Sequence, residues 1–253
     1  MAYTIAVAGK GGVGKTTVSG LLVRYLVEQG LKPVLAVDAD SNSNLNEVLG
    51  LELNMTLGDA REDMKKGQSH GMTKNLFIEM RVNQCLEEAE GFDLIAMGRP
   101  EGAGCYCAAN HLLTASMDQL AGNYRFLVVD NEAGMEHISR VTTQRVDLLL
   151  VVSDPSRRSM TAAARVAELA KEMGILAGDA FLILSMVRGE LAPELSASAA
   201  EMGVELAGFI PDDEALAQAD LQGRPTSKLP ADNPAVKAAF AIFDKVIPAA
   251  WRQ

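Results

Sequence analysis

No apolar run in this 253-residue chain approaches the roughly 18 residues that a membrane-spanning helix needs, so no part of it is expected to cross a bilayer. Cysteine is scarce as well. Cys85, Cys105 and Cys107 are an odd set of three in a long chain, which excludes a disulfide framework and points to a reducing, cytoplasmic setting. Positive charge is in the minority, 23 Lys and Arg against 33 Asp and Glu, for a formal net charge of −10. A surface of that sign repels phosphate backbones and anionic lipids, so neither nucleic acid nor membrane is expected as a main partner. There is no internal repeat and no low-complexity linker. The opening residues 1–9 are too short and too uncharged for a secretory leader, and they run straight into a motif, so they are expected to be part of the fold.

What is present is the material of a packed α/β domain: 48% hydrophobic and 22% charged residues, in a length that one domain can bury efficiently. Apolar runs at 5–8, 34–37, 94–97, 126–129, 148–152, 181–184 and 206–210 are rich in Val, Ile and Leu, as strands buried on both faces should be. Helical patterns alternate with them. Residues 16–29 place Val18, Leu21, Leu22, Tyr25 and Leu26 along one face, and residues 159–174 do the same with Ala163, Val166, Ala167, Ala170 and Met173. The expected fold is a single doubly wound α/β domain over residues 1–253, a mostly parallel sheet with helices on both faces. Residues 51–84 are weakly patterned and read as a helical insertion or mobile cover. The tail at 233–247 puts Val236, Phe240, Phe243 and Ile247 at helical spacing. With only Lys237 and Lys245 on its polar side, it reads as a core-docked helix and not a membrane anchor.

Gly9, Lys10, Gly11, Gly12, Val13, Gly14, Lys15, Thr16 and Thr17 match the phosphate-loop pattern of a glycine, four residues, then Gly-Lys-Thr, between a strand and a helix. The glycines let the backbone wrap phosphate oxygens, and the following helix adds its positive dipole end. Lys15 is expected to hold the β- and γ-phosphates and the Thr16 hydroxyl to complete a magnesium shell. Two acidic positions extend the site. The strand at 126–129 ends in Asp130, expected to hold magnesium through water, and the run to Gly134 has the Asp-x-x-Ala-Gly form of a γ-phosphate-sensing loop. The second strand ends in Asp38 and Asp40, which point to the same side of extended chain. Asp40 is the candidate for positioning the attacking water, with Asp38 nearer the metal. The plainer reading is that these aspartates cap turns.

Cys105 and Cys107, separated by Tyr106 in a glycine-flanked segment, would project from the same side if that segment is extended. Two sulfurs leave a soft metal half-coordinated, and a two-fold dimer would supply the other pair. Four thiolates suit zinc, an iron–sulfur cluster, or nickel in a flattened site. The alternative is a pair of small buried residues or a redox-labile pair. Cys85, in a helical pattern, reads as core. His70 reads as solvated, His111 as a helix-start surface residue, and His137 as making a local hydrogen bond or relaying a switch.

The second lysine of the loop, Lys10, resembles the deviant phosphate loop of SIMIBI-class P-loop ATPases, the class of MinD, ParA, nitrogenase iron protein and metal-insertion ATPases. The resemblance implies that Lys10 crosses a dimer interface to the partner's ATP and stabilises transition-state charge as an arginine finger does. It further implies that ATP occupancy controls dimerisation. Pro211 and Asp212, in Ile-Pro-Asp-Asp, resemble the segment that packs on adenine in these ATPases, while Ser185 stands where the class often has a base-reading asparagine. The run from Gly98 to Cys107 and that from Asp130 to His137 together resemble the CooC/AcsF family, the maturation ATPases of nickel carbon monoxide dehydrogenase and acetyl-CoA synthase. That likeness implies an ATP-gated homodimer carrying nickel, with zinc able to take its place, on Cys105 and Cys107 for insertion into the target enzyme. A positioning ATPase like MinD or ParA is the rival reading, and it would need a basic surface that this chain does not show.

Overall fold

The computed structural model describes residues 2–65, 73–99, 105–133 and 145–252, with the backbone alone at 64–65, 74–75, 78 and 105–111. Eight strands form one sheet in the order β3-β4-β2-β5-β1-β6-β7-β8. They are β1 (Tyr3–Gly9), β2 (Val34–Ala39), β3 (Leu86–Ala89), β4 (Phe92–Ala96), β5 (Phe126–Asn131), β6 (Val146–Ser153), β7 (Leu176–Val187) and β8 (Glu205–Pro211). Seven of them overlap the seven expected apolar runs, with Met97 of the 94–97 run falling just past the end of β4. The unexpected one is β3, whose Leu-Glu-Glu-Ala carries no apolar run and pairs antiparallel with β4 at the edge, where burial demands least. All other pairings are parallel.

Helices α1 (Lys15–Glu28), α2 (Leu45–Leu49) and α9 (Pro234–Val246) cover one face. On the other lie α3 (Leu57–Lys65), α4 (Lys74–Gln84), α5 (Cys105–Leu120), α6 (Arg157–Glu172) and α7 (Pro193–Glu201). α8 (Glu214–Leu221) follows β8. The period-two alternation of the strands assigns side chains to the two faces: Ile5 and Val7 of β1 join the α1 core, while Ala6 and Ala8 face away. The α1 face is one continuous core. The opposite face holds two separate clusters, one under α6 and α7 and one under α3, α4 and α5. α9 docks on the core through Val236, Phe243 and Ile247, as its spacing suggests. Met173, expected on the buried face of α6, instead caps that helix and is half-exposed, because the helix ends one residue before it. Cys85 caps α4 and is fully buried.

Topology places the site. The chain leaves β1 toward β2 on one side and returns from β5 to β6 on the other. The carboxyl ends of the strands flanking β1 therefore bound the crevice where doubly wound sheets take their ligands.

Candidate functional site

Gly9 closes β1 against β6, where a Cβ at this position would run into the Val152 carbonyl oxygen. Only glycine fits. Gly12 and Gly14 then turn the loop through positive φ, 77° and 81°, and α1 begins at Lys15. Three other helices make the contrast plain. α6 is capped by Ser156, α8 by Asp213 and α9 by Asn233, each accepting a first-turn N–H. Gly14 has no side chain to do so, which leaves the first-turn N–H groups of α1 for a ligand. Lys10, Gly11 and Gly12 are exposed, Val13 is buried, and Thr17 is half-buried in the first turn.

Lys15 is only 8% exposed, and its Nζ donates to the Lys10 carbonyl at 3.1 Å. Burial lowers its pKa against the opposing pull of Asp130, Asp40 and Glu132. Asp38 and Asp130 sit opposite each other in the β2–β5 register, both on the α1 side and both buried. Burial first, then mutual repulsion, pushes Asp38 up to about 7. Asp130 is raised to about 6 by burial, with hydrogen bonds from Thr16 and Ser19 and the charge of Lys15 opposing the shift. The Ser19 hydroxyl donates to Asp130 Oδ1 at 2.9 Å. Asp38 accepts the Asp40 N–H at 3.0 Å and the Leu45 N–H at 2.9 Å, so it caps α2. Asp40 accepts from Asn42 through both the backbone N–H at 2.8 Å and the side-chain amide at 3.1 Å.

Two carboxylates driven toward their neutral forms beside the Thr16 and Ser19 hydroxyls would be relieved by a hard cation. Among the described residues no group of three or more His, Cys, Asp or Glu can hold a metal unaided. An oxygen set this sparse suits magnesium, which keeps most of its shell in water and phosphate. The site thus has a wrapped backbone, an uncapped helix start, a buried ammonium and an acidic pair, which together fit the phosphates of a nucleotide.

At the other end of the same sheet edge, a cavity of about 450 Å³ is lined by Asp154, Pro155, Met186, Arg188, Leu195 and Asp212, among others. Pro211 pairs with Val187, and the Asp212 N–H donates to the Val187 carbonyl at 2.9 Å. Arg188 Nε donates to Asp212 Oδ2 at 2.9 Å. Ser185 is 5% exposed and turned away from this cavity. Its hydroxyl lies 2.7 Å from the Val13 carbonyl oxygen and 3.2 Å from that of Ser153, tying the phosphate loop to β7.

Cys105 and Cys107 open α5. The premise of extended chain is corrected there: the backbone is helical, and positions two apart on a helix do not share a face. Their side chains, that of His111, and Gly134, His137 and His70 altogether lie outside the described residues. Sequence reasoning passed over Ser19, although it follows Thr16 by three and so shares its helix face. It also passed over Asn131, whose Nδ2 donates to the Val7 carbonyl at 3.0 Å and bridges β5 to β1. Met186 and Arg188 carried no sequence signal.

Residues 4–226 match the family described as CbiA, the CobQ/CobB/MinD/ParA nucleotide binding domain. The chain is 41% identical over 248 residues to an "uncharacterized ATP-binding protein" of Methanocaldococcus jannaschii, covering 96% of this chain and 98% of that protein. It is 36% identical over 188 residues to the carbon monoxide dehydrogenase accessory protein CooC of Rhodospirillum rubrum, covering 68% of this chain and 70% of CooC. Among solved structures it is similar to the septum site-determining protein MinD of Pyrococcus horikoshii complexed with Mg-ADP, with a TM-score of 0.76, 25% identity and coverage of 99% and 98%.

Proposed function

The chain belongs to the CobQ/CobB/MinD/ParA nucleotide-binding family, as a SIMIBI-class P-loop ATPase close to CooC, and from that membership we propose a magnesium-dependent ATPase that carries nickel to a carbon monoxide dehydrogenase or acetyl-CoA synthase. The first-turn N–H groups of α1 and Lys15 bind the phosphate chain. Lys15 gives up its contact with the Lys10 carbonyl to do so, which draws the loop around the β- and γ-phosphates. Thr16 and, through water, Asp130 hold magnesium, with Asp38 near by, and the ion supplies charge neutralisation at the β- and γ-oxygens. Asp40 positions the attacking water. Lys10, exposed on the loop, is free to reach a second copy of the chain and stabilise the transferring phosphoryl group there. Asp130 is joined by the run to Gly134 in sensing the γ-phosphate, while Pro211 and Asp212 flank the base.

The cargo half rests on the CooC likeness together with Cys105 and Cys107 at the start of α5. A helical segment presents both thiolates of a chain toward a shared axis less readily than an extended one does. The proposal therefore requires the segment before Cys107 to yield on dimerisation, so that two thiolates from each chain enclose one ion. The work is placed in the cytoplasm, and among the described residues no helix is long and apolar enough to cross a membrane. A positioning role like that of MinD rests on likeness to MinD proteins in sequence, at 25–27% identity, and in structure.

The test is metal analysis of anaerobically purified protein beside its oligomeric state. One nickel ion per pair of chains with ATP, and loss of that ion in Cys105→Ala and Cys107→Ala with ATP binding retained, is the expected result. Unchanged nickel affinity in both variants would sink the carrier role.

A further inference from the structure

The pairing of β7 with β8 slips next to the base-end cavity. Leu184 faces Phe209 and Val187 faces Pro211, so two residues of β7, Ser185 and Met186, stand against one of β8. Such a bulge re-aims side chains and breaks the alternation of the strand. Ser185 turns in to the phosphate loop, and Met186 turns out at φ 56°, a left-handed backbone that residues with a β-carbon rarely take. Among the described residues only Ser43 shares that sign without being glycine. An apolar side chain 47% exposed, on a backbone held in a disfavoured well, is the kind of strain that persists at ligand clamps. Its Cε reaches to 3.9 Å from where a Cβ on Gly14 would stand, which places the thioether between the phosphate loop and the cavity.

Ser185 cannot read a base. Its single proton is committed to a backbone carbonyl, the nearer being that of Val13. The charged groups lining the cavity are Asp154, Glu190, Arg188 and Asp212, and the last two form an ion pair, so the wall offers a donor and several acceptors. A guanidinium donates to N7, which both purines carry. A carboxylate accepts from the adenine amino group or from N1–H and the amino group of guanine. Neither purine is refused by an unpaired buried group, and that refusal is the usual source of strong selectivity.

We infer that Met186 is the platform on which the nucleobase lies, and that with Ser185 withdrawn into the phosphate loop the cavity accepts adenine and guanine nucleotides with little discrimination. This rests on the nucleotide reading proposed above and says which base that site takes. A thioether against a purine face is a soft, shape-tolerant contact that suits both rings.

The experiment is calorimetric titration of the full chain with ADP, GDP and inorganic tripolyphosphate in magnesium, for wild type, Met186→Gly and Met186→Leu. Wild type is expected to bind ADP and GDP within about tenfold of each other. Met186→Gly should weaken both by about three- to tenfold, the range of a sulfur–ring contact, and leave tripolyphosphate unchanged. It should also raise the Tm, because glycine takes the left-handed backbone freely; a merely structural methionine would not weaken binding while the fold gains stability. Met186→Leu should stay within about threefold of wild type. Unaltered ADP affinity in Met186→Gly, or a preference of wild type for one purine of a hundredfold or more, overturns the inference while tripolyphosphate binding keeps the nucleotide reading standing. Failure of all three ligands to bind wild type overturns both.

Discussion

At the phosphate end of the site, Lys15, Asp38 and Asp130 are shut away from solvent among strand ends and the start of α1. Farther along the same edge, Arg188 stands 90% exposed in an ion pair with Asp212, and Met186 is half in solvent. The first region stores electrostatic tension, two acids and a base whose charged forms are all penalised by burial. The second stores little. A ligand entering the first would relieve a cost the protein already carries, so the binding proposed there would favour a chain of phosphates with its cation. A ligand at the second meets groups that water already satisfies. The contrast is the physical basis for proposing one end of the site as chemically exacting and the other as tolerant.

The largest effect should come from the buried end. Lys15→Ala is expected to cut ATP turnover by about 10³-fold, the scale of losing one preorganised charge partner of the transition state, measured as phosphate release under saturating magnesium. A loss under tenfold would mean that the ammonium is not part of the reacting array. The next test uses pH. Asp38 has a folded pKa of about 7, above its ordinary carboxylate value near 4. Between those limits the unfolded chain has released a proton that the folded chain keeps, so this group makes the nucleotide-free protein less stable as pH rises from about 4 to about 7. Asp38→Asn should flatten the fall of Tm across that window, the slope and not the absolute midpoint being the readout, because the amide also gives up one acceptor. An identical slope in both proteins would show that Asp38 does not titrate there. The smallest effect belongs to the open end. Arg188→Ala should change stability by less than about 1 kcal/mol, as exposed ion pairs do, by urea denaturation. A larger loss would make the two ends alike.

Most of this architecture was legible because it is written in periods. Seven strands showed as apolar runs, and α1, α6 and α9 as stripes. The phosphate loop was legible because glycine and lysine at fixed spacing have few other uses. Three things were not. β3 is polar because an antiparallel edge asks for no buried run. The helical start of α5 at Cys105 was missed because the Cys-x-Cys segment reads as extended chain between a strand and the helix after it. Met186 was hidden most deeply, since a one-residue slip between two strands leaves no mark in the sequence of either. The role assigned to Lys10 came from resemblance, that of Asp40 from its place at the end of the second strand, and that of the cysteines from spacing and resemblance together; the metal analysis of the cysteine variants bears on the last.

The far side of the sheet has two hydrophobic footings where the near side has one, and β1 offers that side only Ala6 and Ala8. The helix that begins with Cys105 stands on one footing, and α6 and α7, beside the base cavity, stand on the other. Among the described residues no shared core transmits strain laterally between them. On the proposed reading, occupancy of the loop would reach the thiol-bearing helix along β5 and β2, whose ends carry Asp130 and Asp38, and not through a core shared on that side.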